Sequence, residues 1–144
     1  MPELRKDPVI DRWVIIATER SKRPLDLSIG KSMSRSGSFC PLCPGNEDKT
    51  PHEVFAVREG NTPANSPGWS LRVVPNKFPA LVTQGDPNRT ADGIYEKMNG
   101  LGAHEIIIET ANHDADALTL SVDDYRHILI AYRQRIRALQ QDSR

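Results

Sequence analysis

The sequence predicts an α+β domain: an antiparallel β-sheet with a C-terminal helix packed on one face and long connecting loops. Three observations predict it. Short runs rich in β-branched and aromatic residues alternate with stretches that have no regular period. A helical repeat stands out near the C-terminal end. Proline and glycine, at 11 and 9 of 144 residues, suit generous loops.

Taken in order, Asp11-Arg12-Trp13-Val14-Ile15-Ile16-Ala17 reads as a strand preceded by the turn-like Asp7-Pro8. Thr18 to Ser38 is polar, basic and then Ser/Gly-rich, and reads as a long loop. Glu53-Val54-Phe55-Ala56-Val57 and Trp69-Ser70-Leu71-Arg72-Val73-Val74 are two further strands across a Gly/Asn/Pro-rich loop. Gln84 to Gly102 again lacks period. His104-Glu105-Ile106-Ile107-Ile108-Glu109-Thr110 follows as a compact apolar strand, expected at the centre of its sheet. The helix is predicted from Tyr125, Ile128, Leu129, Tyr132, Ile136 and Leu139, which recur at steps of three and four. Ser121, three residues before Asp124, can cap its N-terminus by taking up an orphan N–H. Arg133, Arg135 and Arg137 lie late in it, where cations suit the negative end of the helix dipole.

A chain of this size makes one domain with a hydrophobic core, and 38% hydrophobic with 26% charged residues is ordinary for a globular protein. Nineteen basic residues cancel nineteen acidic ones, so no overall field draws nucleic acid or an acidic membrane, and neither is expected as a partner. No apolar run approaches the roughly 18 residues of a membrane span, and no secretory h-region opens the chain. A cytoplasmic protein is expected.

The two cysteines, Cys40 and Cys43, stand in Cys40-Pro41-Leu42-Cys43-Pro44-Gly45. Two thiols on a tight turn, two residues apart, can converge on one tetrahedral ion. The pair reads as a zinc hook, or alternatively as a redox pair or two reduced thiols. Pro44-Gly45 disfavours the helix that a redox pair normally opens. A structural zinc needs four ligands, so the rest must be histidine or carboxylate, and the histidines on offer are His52, His104, His113 and His127. His52 and His113 fall in polar loops and read as solvated, His127 falls in the helix, and His104 reads as a strand-end residue bonded to backbone.

Five motifs in order carry a resemblance: Asp11-Arg12-Trp13-Val14-Ile15 with Glu19-Arg20-Ser21-Lys22-Arg23-Pro24, then Cys40-Pro41-Leu42-Cys43-Pro44-Gly45-Asn46, then Arg72-Val73-Val74-Pro75-Asn76-Lys77-Phe78-Pro79-Ala80-Leu81, and finally Gly102-Ala103-His104-Glu105-Ile106-Ile107-Ile108-Glu109-Thr110. Across nearly the whole chain these resemble the N-terminal domain of galactose-1-phosphate uridylyltransferases, in the histidine-triad superfamily. The resemblance implies a histidine-triad-like antiparallel sheet, with residues 1–144 as the N-terminal domain of a homodimeric nucleotidyltransferase. It implies zinc held by Cys40, Cys43 and His104, with a fourth ligand from a later H-x-H motif. It also implies a nucleotide-phosphate site that includes Arg20, Lys22 and Arg23, with Asn76 contacting the nucleotide. Lys77 departs from members that carry an acid there.

The activity so implied is exchange of a uridylyl group between UDP-glucose and galactose 1-phosphate, through a uridylyl-histidine intermediate. An adenylyl-transferring relative, such as an ADP-glucose phosphorylase, and a non-catalytic zinc or nucleotide-binding module are the alternatives. The family nucleophile is the second histidine of the H-x-H motif. It is expected beyond Arg144, so the resemblance assigns no catalytic residue within these 144 positions.

Overall fold

The computed structural model describes residues 1–22 and 39–144. They fall into two compact units: one drawn from Met1–Leu25, Phe78–His104 and Asp142–Arg144, the other from Asp26–Lys77 and Glu105–Gln141. Pairing is antiparallel between all named strands, as predicted for an α+β chain, but the strands form two sheets rather than one. Among the described residues no helix is long and apolar enough to cross a membrane.

The second unit holds the core. Its sheet has the order β3-β4-β7, with β3 at Phe55–Arg58, β4 at Trp69–Pro75 and β7 at Glu105–Ile108. The helix α1 spans Val122–Leu139. Alternation along the strands gives the sheet two apolar faces. On one, Leu71 and Val73 pack with Phe55, Val57 and Ile107 beneath Ile128 and Ala131 of α1. On the other, Val74 and Ile108 gather with Trp69, Ala56, Ile106, Leu42 and Ala111. Among the described residues, the buried hydrophobic core residues, from Trp69 to Ala131, all belong to this unit. The apolar strand predicted to be central, β7, lies at the edge of the described sheet, and β4 takes the middle. Both faces of an edge strand can be covered by a helix and by packed turns, so a continuous apolar run does not require two strand neighbours.

The helix matches its prediction closely. Ser121 accepts from the Asp124 N–H while the Asp124 carboxylate accepts from the Ser121 N–H, a reciprocal capping box. Of the three arginines read as dipole partners, Arg135 has another use. Its guanidinium forks onto Glu105 at 2.7 and 2.8 Å and ties α1 to β7.

The segment after the cysteines is stitched to β4 by side chains. The Trp69 indole donates to Glu47 at 2.8 Å, and Arg72 donates to Thr50 and Glu53, both at 2.8 Å. Arg72 is 1% exposed, and Glu53 also receives Arg58 through both carboxylate oxygens. A buried guanidinium is tolerable only with its charge and donors met, and Glu53, Thr50 and Asn65 meet them.

The first unit contains the sheet β2-β1-β6-β5, built from β1 (Glu3–Asp7), β2 (Arg12–Ile16), β5 (Thr90–Asp92) and β6 (Tyr95–Asn99). Only β2 was predicted. The others are polar, and β5 with β6 fills part of the stretch read as loop. A row of apolar residues, exposed at Ile15 and half-buried at Leu4 and Met98, crosses three of its strands. Arg89 lies over the Trp13 ring at 5.5 Å. Gly100 is required by close approach, since a Cβ there would sit 3.0 Å from the Pro2 backbone. Thr18–Lys22 forms a short 3-10 turn where loop was predicted.

Candidate metal centre

The Cys40–Cys43 turn closes by backbone bonds, Cys43 N–H to the Cys40 carbonyl at 3.3 Å and Asn46 N–H to the Cys43 carbonyl at 3.2 Å. The Asn46 side chain adds a third, donating to the Cys40 carbonyl at 2.8 Å. Gly45 holds φ at +89°, in the left-handed region that an L side chain resists, which lets the chain reverse directly after Pro44. Leu42, between the cysteines, packs into the Trp69–Val74–Ile108 cluster and fixes the turn on the sheet face opposite α1.

The third member of the site comes from the turn after β7. Thr110 Oγ1 accepts from the Asn112 N–H and Asn112 Oδ1 from the Asp114 N–H, both at 3.1 Å. These bonds shape the loop around His113. Ala111 anchors this turn to the same cluster as Leu42. One patch of core thus carries both turns, and His113 Nδ1 stands 3.1 Å from Cys43 Sγ.

The ligand atoms of Cys40, Cys43 and His113 all lie within 4.8 Å of one another, the one such group among the described residues. A tetrahedral zinc with bonds of about 2.0–2.3 Å spaces its ligands about 3.3–3.8 Å apart, so the donor set fits zinc in both chemistry and spacing. Both cysteines are reduced. The Cys43 thiol is pushed up, first by burial, then by its bond to Cys40 and the charges of Cys40 and Asp114. A bound cation would reverse that bias and favour the thiolate. A cavity of about 270 Å³, lined by Cys40, Cys43, His113, the β7 residues Ile107 and Ile108, and Glu109 just after them, opens beside the three.

His113, read from sequence as a solvated loop residue, is therefore the histidine brought to the cysteines. Neighbouring sequence carries no signal for it, because Leu42 and Ala111 meet only in the folded core. His104, which the resemblance placed in the zinc site, is engaged inside the first unit. Its Nδ1 accepts the Ala80 backbone N–H at 3.0 Å and faces Arg20 Nη1 at 3.1 Å. A backbone N–H can only donate, so this nitrogen is unprotonated and a neutral ring carries its proton on Nε2.

The other site residues are distributed as follows. Arg20 is half-buried on the 3-10 turn and in contact with His104. The backbone of Lys22 closes that turn, whereas Arg23 lies outside the described residues. Asn76 is half-buried directly after β4, and Lys77 is exposed.

A thiol–imidazole cluster held on one face of an antiparallel sheet, with an amphipathic helix on the other, gives an α+β domain with a candidate metal site. The profile of the galactose-1-phosphate uridyl transferase N-terminal domain matches residues 1–144, and the chain belongs to that family. It is 36% identical over 144 residues to an ADP-glucose phosphorylase of Arabidopsis thaliana, covering 97% of this chain and 40% of that one. A crystal structure of an ADP-glucose phosphorylase from the same plant, with bound ADP-glucose, aligns with a TM-score of 0.58 over 99% of this chain and 39% of that one. Identity to a galactose-1-phosphate uridylyltransferase of Thermotoga maritima is 25% over 142 residues, 98% of this chain and 37% of that one. A solved uridylyltransferase, 24% identical, shares the fold with a TM-score of 0.61 over 98% of this chain and 36% of that one. The chain thus spans about two fifths of the length of the relatives it matches.

Proposed function

We propose that this chain is the metal-binding, phosphate-facing domain of a nucleotidyltransferase that moves a nucleotidyl group between a nucleotide sugar and a hexose 1-phosphate. The observation that carries the reading is the family match along the whole of residues 1–144. Of the two nucleotides considered, the 36% identity to an ADP-glucose phosphorylase, against 25% to a uridylyltransferase, favours an ADP-sugar over UDP-glucose. In this reading Arg20, Lys22 and Arg23 present cations to the nucleotide phosphates, with arginine forks matched to phosphate oxygens. Asn76 offers an amide to base or ribose. The histidine nucleophile is supplied from outside this chain, whose four histidines include no H-x-H pair. Homodimer formation and a cytoplasmic location belong to the same reading.

Cys40, Cys43 and His113 hold a structural zinc in this proposal, with His113 in the place that the resemblance gave to His104. A bound zinc would supply no step of the transfer and would fix the turns that carry its ligands. The cavity beside β7 leaves room for a fourth donor.

Two measurements test the proposal. Turnover of the complete protein with ADP-glucose and with UDP-glucose should favour the ADP-sugar, and a UDP-glucose preference sinks the adenylyl assignment. Zinc content should fall sharply in His113→Ala and stay near one per chain in His104→Ala. The opposite pattern returns the ligand role to His104.

A further inference from the structure

Glu47 is a buried carboxylate, 6% exposed, four residues past the second cysteine of the candidate metal site. Among the described residues it forms no ion pair. Its two oxygens are divided between two neighbours instead. Oε2 accepts the Gly45 backbone N–H at 3.0 Å, and Oε1 accepts the Trp69 indole N–H at 2.8 Å. Gly45 is the residue whose left-handed backbone turns the chain after Cys43, and Trp69 belongs to the core cluster that holds Leu42 and Ala111. One side chain therefore joins the ligand-bearing turn to the core that also carries the His113 turn.

We propose that Glu47 is a positioning residue of the Cys40–Cys43–His113 centre, setting the Cys40–Cys43 turn against the core so that both sulfurs meet the imidazole without rearrangement. This inference rests on the metal reading above. Its physical basis is that groups behind the ligands fix ligand geometry before the ion arrives, and their loss typically lowers affinity about 10- to 100-fold. Packing of Leu42 is non-directional, whereas the two hydrogen bonds of Glu47 set both distance and direction between the turn and the core. The buried anion is also specific to the arrangement. A carboxylate accepts at both oxygens, whereas the amide of a glutamine accepts at one and donates at the other. Glu47→Gln must break one of the two bonds at unchanged volume.

The test uses the 144-residue chain with Zn²⁺ and Co²⁺ as probes. Metal affinity is read by competition with a chromophoric chelator, and melting temperature with and without metal. Glu47→Gln should weaken Zn²⁺ binding about 10-fold or more and shrink the metal-induced rise in melting temperature. Its Co²⁺ thiolate absorption should broaden. Trp69→Phe, which removes the indole donor along with part of the ring volume, should act in the same direction with a smaller effect on Zn²⁺ affinity. As a control, Ile106→Val, in the same cluster, should keep the metal-induced rise while lowering both melting temperatures. Glu47→Gln lowering both melting temperatures equally, at unchanged Zn²⁺ affinity, would overturn the proposal and leave Glu47 an ordinary core contact. If Glu47→Gln does not fold, unchanged Zn²⁺ affinity in Trp69→Phe overturns it by itself. If the unaltered chain binds Co²⁺ no better than Cys40→Ser does, the metal reading itself fails, an outcome told apart by needing no Glu47 variant.

Discussion

Glu53 shows how much one residue can hold in this chain. Burial pushes its carboxyl up, but the Arg58 and Arg72 guanidiniums more than reverse that and hold it below the usual carboxylate value of 4.5. A group whose folded pKa is depressed stabilises the fold above its unfolded value and loses that contribution as pH falls through the folded one. Melting temperature should therefore hold above about pH 5 and decline below 4.5. In Glu53→Gln that acid-linked decline should be smaller. The same substitution leaves Arg72, 1% exposed, without its counter-charge and should cost on the order of 3 kcal/mol in urea unfolding at pH 7. An unfolding free energy within 0.5 kcal/mol of the parent would refute the assignment.

At this scale the sequence was legible where chemistry is local. The spacing of Cys40 and Cys43 marks them as a candidate metal hook without any fold. The pairing of a residue 70 positions away does not, and so His113 read as a solvated loop histidine. Glu47 was invisible for a related reason. An acidic residue in a polar turn looks solvated until Trp69, 22 positions on, is seen to cover it. Arg20 and Asn76 drew notice only through resemblance.

Among the elements, α1 was the most legible, because its stripe of apolar residues and its capping box are written in consecutive residues. Period alone does not say which part of a wide stripe is covered. Ile128 is 5% exposed and Ala131 fully buried, while Leu129 is 65% exposed. Ile128→Ala should destabilise by about 2–4 kcal/mol, and Leu129→Ala by less than about 1 kcal/mol. Similar losses at the two positions would mean that α1 sits rotated from the arrangement described. Ser121→Ala removes half of the capping box and should cost about 1 kcal/mol. The strands β1, β5 and β6 went unread because pairing, not apolar burial, makes them strands. Glu3-Leu4-Arg5-Lys6-Asp7 is four-fifths charged, and Thr90–Asp92 is exposed throughout. β7 misled in the opposite sense, since two covered faces produce the apolar run of a central strand in one at the edge.

Over the whole molecule, stability should be uneven. Among the described residues the buried hydrophobic core lies in the unit around β4, whereas the unit around β1 depends on partly covered apolar residues and strand pairing. Opening free energies follow buried apolar contact, so amide exchange should be slowest along Leu71–Val74 and markedly faster in Glu3–Asp7 and Tyr95–Asn99. Equal protection in both sheets would contradict this ranking. The α+β class and antiparallel pairing were legible from composition and period. The division into two sheets was not, because it depends on which strands pair across long intervals.

The short distance between Cys43 and His113 also matters for the topology of the chain. The interval between them contains β3, β4 and β7, the whole of the core sheet. A metal ion joining its two ends would act as a removable cross-link around that sheet. By chain-entropy reasoning, closing a loop of some 70 residues restricts the unfolded chain by about 4 kcal/mol, before any bond energy is counted. If a metal is bound there, a chelator that removes it should let the sheet it encircles give way at lower temperature.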